Sequence, residues 1–162
     1  EFLHSTLDLS EIYPIIFTSS PGKIKTIIPI LLDHIRRGSP LERKKAMSLV
    51  NFLEIDAKEL VSPLLINLGH EDPEIIAYAA LALENLALPS EKIIQGLIKA
   101  LNNPRNNEPA NIPFTWVRHT MHQYLFVPFR LALNELYEPK GIPVSAVLRN
   151  TLKTLVSRVE TL

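Results

Sequence analysis

Apolar residues between positions 60 and 86 recur at helical spacing in two separate stripes. The first stripe comprises Leu60, Val61, Leu64, Leu65 and Leu68, and the second comprises Ile75, Ile76, Ala79, Ala82, Leu83 and Leu86. Spacings of three and four residues place such positions on one side of an α-helix. The polar segment Gly-His-Glu-Asp-Pro separates the stripes, so the pattern predicts two helices joined by a short turn.

Residues that favour helix ends lie next to the apolar stripes. Ser39, Asp72 and Ser90 each precede a helical pattern and are good N-cap residues. Gly38 and Gly69 follow such patterns, and the sequence predicts that each ends a helix in the left-handed conformation. The chain is therefore divided into helices by residues suited to start and stop them.

The pattern repeats at an offset of 33 residues. The recurring pairs are Pro40 and Pro73, Ala46 and Ala79, Leu49 and Ala82, Leu53 and Leu86, Leu64 and Leu97, Leu65 and Ile98, and Leu68 and Leu101. The segment LALENLALP at 81–89 returns as LALNELYEP at 131–139, a displacement of 50 that predicts a further unit with an insertion. Stacked helix pairs bury such stripes continuously, so we expect the paired leucines and alanines, with Leu83, to form one core.

The segment PLLINLGHEDPEIIAYAALALENL resembles a HEAT repeat of the short bacterial type, which also occurs in phycobilisome-lyase-like proteins. The shared features are a first helix of the form PLLxxL, the tripeptide DPE, and a second helix with an AAxAL core. The resemblance covers roughly residues 24–102 and implies that the second helix of each pair lines a concave face that contacts partners. Ile75-Ile76 stands where such repeats usually have a valine-arginine pair, so the resemblance does not imply an arginine ladder between repeats.

We therefore expect an all-α fold, specifically an α-solenoid in which HEAT-like helix pairs form a right-handed superhelix. The predicted elements are a helix near 3–17, helix pairs at about 23–54, 57–87 and 90–137, and a closing helix near 143–160. Segment 102–113, rich in Asn and Pro, predicts a mobile insertion loop, and Pro128 should kink or split the helix after it. We interpret 1–162 as a single domain and, because it begins with Glu1, expect it to belong to a longer protein.

Composition narrows the classes of protein that fit. Hydrophobic residues make up 46% of the 162 residues, which is enough for a continuous core. The chain has no cysteine, so it has neither disulfides nor thiolate chemistry, and we expect it in the cytoplasm. The longest apolar run, 75–83, is too short to span a bilayer, so we expect no membrane insertion.

Charge is segregated along the chain although the formal net charge is zero. Residues 1–22, 23–53, 54–91 and 92–162 carry net charges of −3, +5, −7 and +5. In a solenoid these sequence blocks become zones along the long axis. The zones are interpreted either as ordinary solvated charge or as a means of selecting a partner or a second copy.

Two sets of candidate partner-binding residues follow. The first set shares columns at the offset of 33 residues on the second helices and comprises Lys45, Ser48, Phe52, Tyr78, Leu81 and Asn85. Phe52 and Tyr78 are the expected anchors, because aromatic side chains give large contact area at low entropic cost. The alternative is that these side chains only pack against neighbouring helices.

The second set lies between Phe114 and Tyr137, a segment that holds six of the eleven aromatic residues. Helical geometry places Trp116 and Arg130 opposite the expected buried arc. We interpret Trp116 as an anchor, with Arg118 and Arg130 as charge partners, in a patch for an acidic or carboxylate-bearing group. The alternative is that Trp116 packs against the last helix.

No motif indicates catalysis or a cofactor, so the sequence predicts a non-catalytic interaction scaffold or regulatory module that binds a protein partner. His70-Glu71 resembles one of the iron-binding pairs of HEAT-repeat hydroxylases, but those enzymes need several such pairs. His119 and His122 lie one turn apart without a convincing third ligand, so no metal site is predicted.

Two other functions remain alternatives. The segment HIRRGSPLERKKA at 34–46 could bind nucleic acid, although the −7 block would repel a phosphate backbone. A bilin-lyase-like subunit is implied only by the family resemblance.

Overall fold

The computed structural model describes residues 9–50, 52–53, 56–86, 90–109 and 143–160. These residues form helices and turns, and no β-strand occurs among them, which confirms the predicted all-α class. The α-helices are α1 (Leu9–Thr18), α2 (Pro21–Lys25), α3 (Ile28–Arg37), α4 (Pro40–Val50), α5 (Val61–Asn67), α6 (Pro73–Asn85), α7 (Glu91–Leu101) and α8 (Val144–Glu160). The 3₁₀ turn Lys58–Leu60 precedes α5, and the 3₁₀ turn Pro104–Asn107 follows α7.

Proline and asparagine explain two departures from the predicted elements. The first helix of the pair at 23–54 is divided into α2 and α3, because Pro29 lies in the first turn of α3, where its missing N–H costs nothing. The predicted loop at 102–113 begins with an ordered turn, in which the amide of buried Asn106 donates a 2.7 Å hydrogen bond to the carbonyl oxygen of Ala100. The rest of that loop and the predicted helix at 114–137 lie outside the described residues.

The three predicted N-caps are confirmed. The Asp72 carboxylate accepts a 2.9 Å hydrogen bond from the backbone N–H of Glu74, and the Ser90 hydroxyl accepts one of 3.2 Å from the N–H of Ile93. Ser39 forms a reciprocal capping box with Glu42. The backbone N–H of Ser39 donates to the Glu42 carboxylate at 2.7 Å, and the N–H of Glu42 donates to the Ser39 hydroxyl at 3.3 Å.

The prediction that Gly38 and Gly69 adopt the left-handed conformation is wrong. Gly38 does follow the end of α3, but its φ of −62° and ψ of 158° are those of extended backbone, and Gly69 does not adopt a positive φ either. At Gly38 the reason for glycine is space. A Cβ atom there would lie 2.4 Å from the carbonyl oxygen of His34, so any larger residue would collide with the backbone.

The helices contact one another in two series. In the first series α3 contacts α5 and α5 contacts α7, and in the second α1 contacts α4, α4 contacts α6 and α6 contacts α8. Contacts of α3 with α4, α5 with α6, and α7 with α8 join the two series. The closing helix α8 packs against both α6 and α7.

Most of the predicted core residues are buried between the two series. The buried residues among them are Ala46, Leu49, Leu53, Leu64, Leu68, Ala79, Ala82, Leu83 and Leu97. Three others, Leu65, Leu86 and Leu101, are only partly buried and pack against this core from its edge.

Polar side chains of later helices bind the carbonyl groups at the ends of earlier ones. The amide of Asn67 in α5 donates to the carbonyl oxygen of Ile35 in α3 at 3.3 Å. In the second series Asn85 of α6 donates to the carbonyl oxygen of Val50 at 3.0 Å. Arg158 of α8 likewise donates to the carbonyl oxygen of Glu84 at 2.8 Å. The last carbonyl groups of a helix have no partner within it, so these bonds place successive C-terminal ends side by side.

Candidate partner-binding face

One side of α4 is left outside the core. At about 100° per residue, Leu41, Lys45, Ser48 and Phe52 fall on the same side of this helix and its C-terminal turn. Leu41 is 60% exposed and Lys45 is also exposed, while Ser48 and Phe52 are half-buried. Sequence reasoning missed Leu41, although its position four residues before Lys45 places it beside that lysine.

The equivalent side of α6 is more enclosed. The residues 33 positions after those of α4 are Glu74, Tyr78, Leu81 and Asn85. Glu74, Tyr78 and Asn85 are half-buried, and we call these three residues, with Leu41, Lys45, Ser48 and Phe52, the second-helix face. Burial raises the pKa of the Tyr78 hydroxyl well above its usual value, and the negative charge of Glu74 acts in the same direction.

Leu81, a predicted contact residue, belongs to the core instead. Its exposed fraction is 2%, which leaves it no surface to offer a partner. It lies in α6, which packs against both α4 and α8. On the α8 side, the hydroxyl of Thr151 donates a 3.2 Å hydrogen bond to the buried carboxylate of Glu84.

An ion cluster joins the N-terminal ends of α4 and α6. The ammonium group of Lys44 lies 2.6 Å from a carboxylate oxygen of Glu74 and 3.2 Å from one of Asp72. The hydrogen bond that Lys44 donates to Glu74 is the main cause that raises the pKa of Lys44, against the opposing effect of desolvation. The cluster thus neutralises some of the charge where the predicted basic and acidic zones meet.

The basic segment at 34–46 is largely used within the fold. Arg43 donates to the carbonyl oxygens of Gly38 and Arg36 at 2.8 and 2.9 Å, and Lys44 is held by the ion cluster. Arg37 pairs with Asp33 across one helical turn at 3.6 Å. Arg36, Arg37 and Lys45 remain exposed, a smaller cationic surface than the sequence alone indicates.

A shallow groove of about 350 Å³ lies between α3 and the 3₁₀ turn Lys58–Leu60, away from the second-helix face. Its apolar floor includes Ile28 and Leu32, and its rim carries charges of both signs. On that rim the Lys58 ammonium lies 3.3 Å from the carboxylate of Asp56. The rim charges therefore partly neutralise each other.

His70 has a structural position in the turn before α6. Its Nδ1 atom accepts a 2.9 Å hydrogen bond from the backbone N–H of Asp72, which ties the side chain to the start of α6. Within the described ranges, no three His, Asp or Glu side chains converge in an arrangement that could hold a metal ion.

The second predicted set lies elsewhere in the chain. Trp116, Arg118 and Arg130 fall outside the described residues, as do His119 and His122. The predicted aromatic and cationic patch therefore stays a prediction.

No helix in the described part of the chain has the length and apolarity needed to cross a bilayer.

Comparisons with protein-family models, with curated proteins and with solved structures gave no match.

Proposed function

We propose that this chain is a non-catalytic scaffold or regulatory module of the HEAT-repeat type that binds a protein partner through its second-helix face. The proposal includes an α-solenoid arrangement of the helix pairs and a place in the cytoplasm. The absence of cysteine favours that compartment. The main observation behind the proposal is that the helices form two paired series and that α4, in the second series, keeps one side exposed.

The sequence in which the helices contact one another supports a stack of repeated units. Each helix of one series touches the next helix of that series and its own pair partner, as expected when pairs are stacked in sequence order. Side-chain bonds to preceding helix ends recur in both series, from Asn67 to Ile35 and from Asn85 to Val50. Since the apolar positions also repeat at 33 residues, sequence and contacts favour the same unit.

The chemistry of the second-helix face supports contact with a protein. It combines an exposed aliphatic side chain, Leu41, with an exposed cation, Lys45, and with partly buried aromatic rings at Phe52 and Tyr78. Half-buried aromatic side chains are already held in place, so a partner would gain contact area at little entropic cost.

Position-specific photocrosslinking tests which surface binds. A benzophenone amino acid replaces Lys45 in one protein and Lys99, an exposed residue of α7, in a matched control. Incubation with extract of the source cells should give discrete adducts from position 45 and not from position 99. Adducts of equal yield from both positions would contradict the proposal.

A double variant tests the expected anchors. Phe52→Ala with Tyr78→Ala should abolish the position-45 adducts while the protein keeps its helical circular dichroism. Ile66→Ala removes a 71% exposed aliphatic side chain from α5 and should leave the adducts unchanged. Retention of the adducts by the folded double variant would count against the aromatic anchors.

A further inference from the structure

The charged side chains on and beside the second-helix face differ in the partners they have within the fold. Lys45 and Glu74 belong to the face, and Glu42 lies beside it in the first turn of α4. Glu42 accepts the backbone N–H of Ser39 at 2.7 Å in the capping box. Glu74 is bonded to Lys44 at 2.6 Å. Both acids therefore already have partners.

Lys45 is not held in this way, although its charge acts on the nearby Glu42 carboxylate and helps to lower the pKa of Glu42. Among the described residues, no carboxylate lies within ion-pair distance of its ammonium group, and Lys45 is exposed. In the described part of the chain, Lys45 is thus an exposed cation of this face whose ammonium group is not in an ion pair. Its long side chain can reach a carboxylate without disturbing the capping box or the ion cluster.

Apolar groups flank this cation along the helix. Leu41 lies one turn before Lys45, about 6 Å along the helix axis, and Phe52 lies two turns after it, about 10 Å along the axis. Leu41 is 60% exposed, so a partner could bury most of it. The face thus presents an apolar, a cationic and an apolar group in one row.

We infer that the partner of the second-helix face is an acidic amphipathic peptide segment, in which a carboxylate that pairs with Lys45 is flanked by apolar side chains that cover Leu41 and Phe52. This inference rests on the proposed function and names the chemistry of the partner. A single carboxylate fits the site because it meets one cation. A nucleic-acid backbone would carry a row of phosphates past Glu42, Asp72 and Glu74, which repel them.

Selection from a phage-displayed library of random 12-residue peptides tests the inference with a defined probe. The full chain is immobilised, and the selected peptides are expected to carry Asp or Glu next to Leu, Ile or Phe. Bound peptides should protect Lys45 from acetylation by a water-soluble reagent and leave Lys99 reactive. Selected peptides that are neutral or basic would overturn the inference.

Variants then test the pairing with the selected peptide of highest affinity. Lys45→Ala should weaken binding about two- to fivefold, as expected for an exposed ion pair, and Lys45→Glu should weaken it further by repulsion. Lys99→Glu on α7 changes the net charge equally and should have little effect. Replacing the acidic residue of the peptide with lysine should restore binding to Lys45→Glu. Equal affinity of the wild type, Lys45→Ala and Lys45→Glu for the peptide would overturn the inference.

The two proposals fail in different ways. If peptides protect Lys45 but show no acidic preference, the acidic partner is wrong and the binding face stands. If acidic peptides instead protect Lys99, both the inference and the proposed binding face are wrong. If duplex DNA competes with the peptides in a strongly salt-dependent way, the site is a general anion site and the inference is also overturned.

Discussion

The guanidinium group of Arg43 donates a 3.2 Å hydrogen bond to the side-chain oxygen of Asn67 and so joins α4 to α5. Asn67 is 2% exposed, and its amide group also donates to the carbonyl oxygens of Ile35 and Pro63. One buried side chain therefore connects the second helix of one pair with both first helices beside it.

Replacing Asn67 should destabilise the fold. Asn67→Ala removes the buried amide and leaves the Ile35 carbonyl oxygen and an Arg43 donor without this partner, at an expected cost of about 1 to 3 kcal/mol. Urea denaturation followed by circular dichroism measures the change. Asn107→Ala, at an exposed asparagine, is the control and should change stability little. A loss at Asn67 no larger than at Asn107 would show that the network contributes nothing.

Gly96 lies where α7 approaches α5. A Cβ atom at this position would lie 2.6 Å from Cδ2 of half-buried Leu65, so that side chain must shift in Gly96→Ala. The shift should offset the gain of up to about 1 kcal/mol that alanine gives inside a helix. Combining Gly96→Ala with Leu65→Ala removes the crowding atom. The double variant should therefore lose less free energy of unfolding than the sum of the two single variants predicts.

Gly22 provides the matched control for that experiment. No atom lies within 4 Å of a Cβ built there, and the residue is helical. Gly22→Ala should therefore leave stability unchanged or raise it by up to about 1 kcal/mol. If Gly96→Ala is as stable as Gly22→Ala, the tight contact with Leu65 is not real.

The capping box should make stability depend on pH in the acidic range. The backbone N–H of Ser39, followed by its hydroxyl, lowers the pKa of Glu42. A carboxyl group with a lowered pKa in the folded state stabilises that state above its unfolded pKa, and the effect is lost as the pH falls through the folded pKa. The wild-type protein should exceed Glu42→Gln in stability above about pH 5, and the difference should shrink towards pH 3. A difference independent of pH would contradict this linkage.

Fluorescence of the single tryptophan tests the predicted patch at 114–130. If Trp116 is a surface anchor, its emission should be red-shifted and readily quenched by iodide or acrylamide. A blue-shifted and quencher-resistant emission would mean that Trp116 lies in the core, and the patch with Arg118 and Arg130 should then be abandoned.

Local signals in the sequence predict helix starts better than they predict burial. Asp72 and Ser90 cap their helices as expected, because an N-cap depends on atoms two or three residues away. The sequence predicts Leu81 on a contact surface, whereas it is buried in α6, a helix that packs against both α4 and α8, and α8 begins more than 60 residues later. The sequence pattern does not reveal the pairing of Arg43 with Asn67 for a related reason. The two residues are 24 positions apart, and the offset of 33 aligns Arg43 with apolar Ile76.

The bonds from later helices to earlier helix ends give the fold a direction. The carbonyl groups at the end of α4 leave the ribosome before Asn85, which binds one of them, and those at the end of α6 leave before Arg158. Each unit therefore gains its lateral partner only when the next one has been synthesised. We expect the nascent chain to gain protease resistance in steps as each second helix emerges, rather than in one event after release.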